Sequence, residues 1–312
     1  MRTLLRIRFF SDTSDPVTKT WNEKLLFPAL IRIIIYQDCP SITGITGGSG
    51  MKIAVSGKGG TGKTFLAGTL AARFADGGHP VIAIDADPSP NLALTLGLSL
   101  EDAGKIVPIA ENEQLIRLKT GTDYSGVFRL TFTVDDIIRN HAVPTPSGVN
   151  LMVMGTVRSM GSGCTCPAHS VVKALLRHLI VERDEVVILD MDAGIEHLGR
   201  GTAEHVDTLL VVSDANRKSL EVAKTICRMA KDSAIKSVGL VGNRIAGPAQ
   251  ELAVRTFAEK NRISVFAMIP FDQDIADNGI SGSPINEEHS VAIREITRLA
   301  SSLESGFQPV KR

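Results

Sequence analysis

The sequence predicts an α/β fold, a mostly parallel sheet flanked by helices. Three observations carry this. From Met51 onward, short β-branched runs alternate with helical patterns. A glycine-rich loop falls between the first strand and the first helix, as in phosphate-binding βα units. Apolar runs end in aspartate, and ligands of parallel sheets gather at the carboxyl ends of strands. Composition agrees. Aromatic residues make up only 4% of the 312 residues, while Gly, Ala, Val, Ile and Leu abound. Such strands can be buried on both faces.

The elements follow in order. Strands are predicted at Met51–Ser56, Pro80–Asp85, Gln114–Lys119, Asn150–Gly155, Glu185–Asp190, Asp207–Ser213, Ser237–Asn243 and Ile263–Ala267. Helical patterns cover Lys63–Ala75, His169–Val181, Asn216–Lys231, Gly247–Lys260 and Glu287–Leu303. On the stripe Leu220, Ala223, Cys227 and Ala230, Cys227 reads as core packing rather than chemistry. No repeat and no boundary interrupts the chain after Met51, which predicts one domain over 51–312.

The first fifty residues differ. They hold the only Trp, a Pro-broken apolar run from Leu25 to Tyr36 and a Gly/Ser-rich end at Thr43–Gly50. Arg32 interrupts the run, which is too short to span a bilayer. Met51 opens the first strand directly, as a start codon would. Residues 1–50 are therefore expected to be a non-native or disordered extension without function.

The loop Gly57-Lys58-Gly59-Gly60-Thr61-Gly62-Lys63-Thr64 fits G-x-x-x-x-G-K-[ST]. Glycines between strand and helix let several backbone N–H groups face one point, where the helix dipole adds positive potential. Lys63 is expected on the β/γ-phosphates of ATP and Thr64 on Mg²⁺. The same glycines also spell G-x-G-x-x-G, with Asp85 at the end of the next strand, as a dinucleotide site requires. The Lys63-Thr64 pair decides for a nucleoside triphosphate, because a dinucleotide fingerprint has no use for it. Lys58 is unneeded in an ordinary loop of this kind. At the outer lip, its ammonium can meet a phosphate from outside.

Three carboxylates are expected around the phosphates. Asp190 ends an apolar strand and is placed to hold Mg²⁺, which keeps several of its waters. Asp87, before Pro88, is the candidate that orients the attacking water. Asp85 is expected near Mg²⁺ and Thr64. Asp192 reads as well as a turn cap as a functional group. His197 and His205 carry no assignment.

The extra lysine gives K-G-G-T-G-K-T a close likeness to the deviant phosphate loop (deviant Walker A) of the MinD/ParA/nitrogenase-iron-protein group of dimeric P-loop ATPases. The resemblance runs from Met51 nearly to the C-terminus. It implies a homodimer in which Lys58 reaches the partner's nucleotide. It also implies Asp87 as the water-activating aspartate and Asp190 as the magnesium-side one. Val241-Gly242-Asn243-Arg244 resembles the segment whose Asn contacts adenine. Ile269-Pro270-Phe271-Asp272 resembles the loop that flanks the base, which adds Asn243 and Pro270 to the expected nucleotide contacts.

Gly163-Cys164-Thr165-Cys166-Pro167-Ala168-His169 is the second informative stretch. A C-x-C pair can reach one metal but cannot complete a four-coordinate shell. Either His169 and water finish it, or a second subunit does. On a dimer axis, two pairs supply four thiolates, tetrahedral for Zn²⁺ or square-planar for Ni²⁺. Together with Ala193–Thr202, this pair makes the chain resemble the nickel-insertion accessory ATPases of carbon monoxide dehydrogenase (the CooC type). The resemblance implies a dimer that carries Ni²⁺ or Zn²⁺ on Cys164 and Cys166. Its client would be carbon monoxide dehydrogenase or acetyl-CoA synthase.

Other classes fit less well. The formal charge of +0, from 34 basic and 34 acidic residues, offers no footprint for nucleic acid. Leu303–Arg312 is broken by Gly306 and Pro309, so no amphipathic membrane anchor is expected. Four irregularly spaced cysteines make no disulfide framework and favour a reducing cytoplasm. A partition ATPase and an iron–sulfur electron-transfer protein are the remaining alternatives.

Overall fold

The computed structural model describes residues 50–87, 91–122, 129, 132–155, 167–181, 183–194, 205–233, 235–281 and 289–306. Cys164, Cys166 and the segment 195–202 fall outside them, as do residues 1–49.

Eight strands form one sheet in the order β3-β4-β2-β5-β1-β6-β7-β8. They are β1 (Lys52–Gly57), β2 (Val81–Asp85), β3 (Val143–Pro144), β4 (Asn150–Val153), β5 (Val186–Asp190), β6 (Thr208–Ser213), β7 (Ser237–Ile245) and β8 (Val265–Pro270). All pairings are parallel except β3 with β4. The expected α/β class and its mostly parallel sheet are thus observed. β1 lies between β5 and β6, so the chain changes sides of β1 as it passes from one to the other. Such a switch opens a crevice at the carboxyl ends of the strands.

Strand alternation divides the core. Ile53 and Val55 face one layer, with Leu66, Leu70 and Phe74 of α1 (Lys63–Asp76). Ala54 faces the other, with Val171, Leu175 and Leu179 of a later helix, Pro167–Val181. Residues on one strand turn to opposite faces, so a β1 buried throughout needs helices on both sides. Cys227 is buried beside Leu220, Ala223 and Ala230, as the stripe predicted. Burial raises its thiol pKa to about 11.

The segment between β2 and β4 departs from expectation. Gln114–Lys119, expected as a strand, lies within a helix. The helices here are α2 (Leu92–Thr95), α3 (Leu100–Lys105), α4 (Glu113–Thr120) and α5 (Asp135–His141). The reason is local. The Asn112 side chain accepts the Leu115 N–H and caps α4, with Glu113 in the first turn. Leu115 and Lys119 are buried one helical turn apart, and the Lys119 ammonium binds Asp136 of α5. The remaining helices are α6 (Pro167–Val181), α7 (Arg217–Lys231), α8 (Pro248–Lys260), α9 (Gln273–Ser281) and α10 (Val291–Glu304). No described helix is long and apolar enough to cross a membrane.

Candidate nucleotide site

The site is built where β1 gives way to α1. Gly60 and Gly62 adopt φ of 83° and 90°, in the left-handed region that favours glycine. Gly62 is also the residue before α1. A Cβ there would sit 2.3 Å from Asn243 Nδ2, so any side chain at this position would displace the Asn243 amide. Thr61 folds the loop back on itself, its N–H and its hydroxyl both donating to the Lys58 carbonyl, at 3.3 and 2.8 Å. The Lys58 side chain is exposed, as a residue at the outer lip should be. Lys63 is buried at 5% exposure, with its charge close enough to favour ionised Asp190.

Asp190 ends β5 beside β1, in register with Asp85 of β2 and Val55 of β1. It is 0% exposed, and neither carboxylate oxygen has a hydrogen-bond partner. Burial pushes its pKa up to about 7, and the nearby Asp85 and Asp87 add repulsion. The Thr64 hydroxyl and the Lys63 ammonium pull the other way. Two unpartnered carboxylate oxygens beside a hydroxyl at a helix start form a donor set that suits Mg²⁺. Thr64 and Asp190 are the residues that would hold it.

Asp85 sits next door but is otherwise engaged. Its Oδ1 accepts the Asp87 N–H at 3.2 Å and its Oδ2 the Leu92 N–H at 2.9 Å. Burial raises its pKa, while these backbone donors oppose the rise. These bonds tie Asp85 to the Asp87 backbone and to the start of α2. Asp87 lies close enough to raise the pKa values of both Asp85 and Asp190.

At the other flank, β7 and β8 bring Asn243 and Pro270 to the same edge. Ile245 pairs with Pro270, and the Phe271 N–H donates to the Ile245 carbonyl at 3.0 Å. Asn243 is buried at 4% exposure, and its Nδ2 donates to the Thr61 carbonyl at 2.8 Å.

The sequence reading missed Ser56. Its hydroxyl donates to the carbonyls of Asp192 and Gly194 at 2.8 and 2.9 Å and accepts the Gly194 N–H at 3.1 Å. The strand feeding the phosphate loop is thereby tied to the segment leaving Asp190. Asp192 Oδ1 accepts the Ala193 N–H at 2.7 Å, a turn-capping role.

Residues 52–285 match the CobQ/CobB/MinD/ParA nucleotide-binding domain family. The chain belongs to this family and is an ATPase. Its fold and site agree with Mg²⁺-dependent binding of ATP. It is 42% identical to the carbon monoxide dehydrogenase accessory protein CooC of Rhodospirillum rubrum, covering 72% of this chain and 85% of that one. An ATP-binding protein of Methanocaldococcus jannaschii is 41% identical, covering 80% of this chain and 96% of the relative. Among solved structures, the septum site-determining protein MinD with Mg-ADP from Pyrococcus horikoshii superimposes with a TM-score of 0.56 at 19% identity. That match covers 81% of this ATPase and 96% of MinD, and carries the fold alone. Among the described residues, no group of three or more His, Cys, Asp or Glu is placed to hold a metal ion.

Proposed function

We propose that this ATPase works as a cytoplasmic metallochaperone dimer. It carries Ni²⁺ on Cys164 and Cys166 of two subunits and assists nickel insertion into carbon monoxide dehydrogenase or a related nickel enzyme. The observation that carries the reading is the 42% identity to CooC, extending over 72% of the chain. The work is assigned to residues 51–312 and none to residues 1–50.

In this reading ATP lies along Gly57–Thr64, with Lys63 on the β/γ-phosphates. Asn243 and Pro270 flank the base. Thr64 and Asp190 would hold Mg²⁺, which would supply charge neutralisation at the phosphates. Asp85 braces the loop that carries Asp87, and Asp87 orients the attacking water. Lys58 reaches the partner's nucleotide, so ATP favours the closed dimer. A ligand shifts such an equilibrium only by its differential affinity for the two states. Ser56 joins the phosphate-loop strand to the segment after Asp190, so a change at the phosphates can pass to that segment.

The test is the metal content of purified protein with and without ATP, with Cys164→Ala and Cys166→Ala combined. One Ni²⁺ per dimer in the wild type and none in the variant is expected. Unchanged nickel stoichiometry removes the thiolate assignment. Iron and sulfide in place of nickel would favour the electron-transfer alternative.

A further inference from the structure

Consecutive residues of a strand point to opposite faces. Asn243 and Arg244 do not. Both side chains reach the phosphate loop. Asn243 Nδ2 donates to the Thr61 carbonyl at 2.8 Å, and Arg244 Nη1 donates to the Gly60 carbonyl at 3.0 Å. The backbone shows how. Arg244 has φ of 57°, inside the left-handed region that an arginine adopts only under strain. The break coincides with an irregular β7–β8 register between Gly242 and Ile245. With extended backbone at Arg244, its side chain would leave on the far side of the sheet.

A loop whose N–H groups converge on phosphate must turn carbonyls outward, and those carbonyls need donors. We propose that Asn243 and Arg244 form a two-donor clamp that presets the phosphate loop from behind. Arg244 is then a positioning residue for the triphosphate of ATP. Peptides are planar, so holding the carbonyls of Gly60 and Thr61 fixes the Gly60–Thr61 and Thr61–Gly62 peptide planes. The second carries the Gly62 N–H, at the mouth of α1. The clamp also explains why Gly62 has no room for a side chain, since the occupant of that space is Asn243 Nδ2. A preset loop need not be ordered by its ligand, and this raises affinity.

Arg244 also lines an open cleft of about 470 Å³ with Asp214, Asn216 and Gln250. A direct contact with the nucleoside is therefore the competing role, and the test separates the two. Arg244→Gly keeps the left-handed backbone without steric cost and deletes the guanidinium. Arg244→Lys restores one donor. The clamp predicts that Arg244→Gly raises the KM for ATP about three- to fivefold, the loss of one solvent-exposed charge-assisted hydrogen bond, with a smaller fall in kcat. Competition by inorganic tripolyphosphate weakens by the same factor, and Arg244→Lys recovers part of both. An unchanged KM overturns the proposal. So does a loss for ATP with tripolyphosphate competition unchanged, which would put Arg244 on the nucleoside. If Arg244→Gly fails to fold, Arg244→Asn keeps a residue that tolerates the same backbone. A lowered melting temperature with normal binding, in either variant, would make the role structural and also overturn it.

Discussion

The two ends of the central strands treat buried charge in opposite ways. At the amino end, Lys52 of β1 is buried at 5% exposure, and its ammonium donates to the carbonyls of Arg183 and Glu185 at 2.6 and 2.7 Å. Its backbone N–H donates to Asp207 at 2.8 Å. Burial lowers the Lys52 pKa, while Glu185 and Asp207 oppose the fall. At the carboxyl end, Asp190 of β5 is equally hidden and neither oxygen is paired. A buried charge costs several kcal/mol unless partners satisfy it. The amino end has its partners within the chain. The carboxyl end leaves the deficit for a ligand to fill, which marks it as the working end.

Asp190→Asn tests the unpaired carboxyl end most directly. It removes a buried carboxylate charge that the Lys63 ammonium and the Thr64 hydroxyl offset only in part. If Asp190 holds Mg²⁺ as proposed, ATP hydrolysis is expected to fall about a hundredfold or more. The melting temperature of nucleotide-free protein in chelator should stay level or rise. Phosphate release and a thermal melt read the two effects. A large loss of stability would show that Asp190 serves the fold, and the contrast would fail.

Lys52→Met is the complementary change and the next largest. It leaves the Arg183 and Glu185 carbonyls without their ammonium donor, at a cost of about 1–3 kcal/mol. The urea midpoint should fall while the KM for ATP holds in the folded protein. A shifted KM would mean that the amino end communicates with the site.

Legibility in the sequence followed the range of the interactions. The place of Gly57–Thr64 between strand and helix could be read because those elements are contiguous, and the place of Asp190 because it ends an apolar run. Gln114–Lys119 was misread because short apolar runs suit strand and helix alike, and the decisive signal was the cap at Asn112. Ser56 acts through Asp192 and Gly194, far along the chain, and no local pattern announces that. The role of Arg244 lies in a backbone angle of 57°, to which the preceding strand pattern gives no clue. Asp85 was correctly placed at a strand end, but its engagement with the Leu92 N–H depends on how the next loop folds.

The smallest effect tests the electrostatics directly. The Asp190 pKa is raised from 3.8 to about 7, first by burial. Between these values the folded chain holds a proton that the unfolded chain has released. Stability therefore falls as pH rises through this window, with a slope of at most about 1.4 kcal/mol per pH unit. This group's contribution is fully present below the unfolded pKa and is lost as pH passes the folded one. Other carboxylates titrate nearby, so the difference between wild type and Asp190→Asn isolates Asp190. In chelator, Asp190→Asn should gain on the wild type as pH is raised from 5 to 7.5. Mg²⁺ with ATP favours the ionised form and should flatten the wild-type slope. A pH-independent difference in melting temperature would mean that Asp190 is already ionised and paired, and the two ends of the sheet would then be alike.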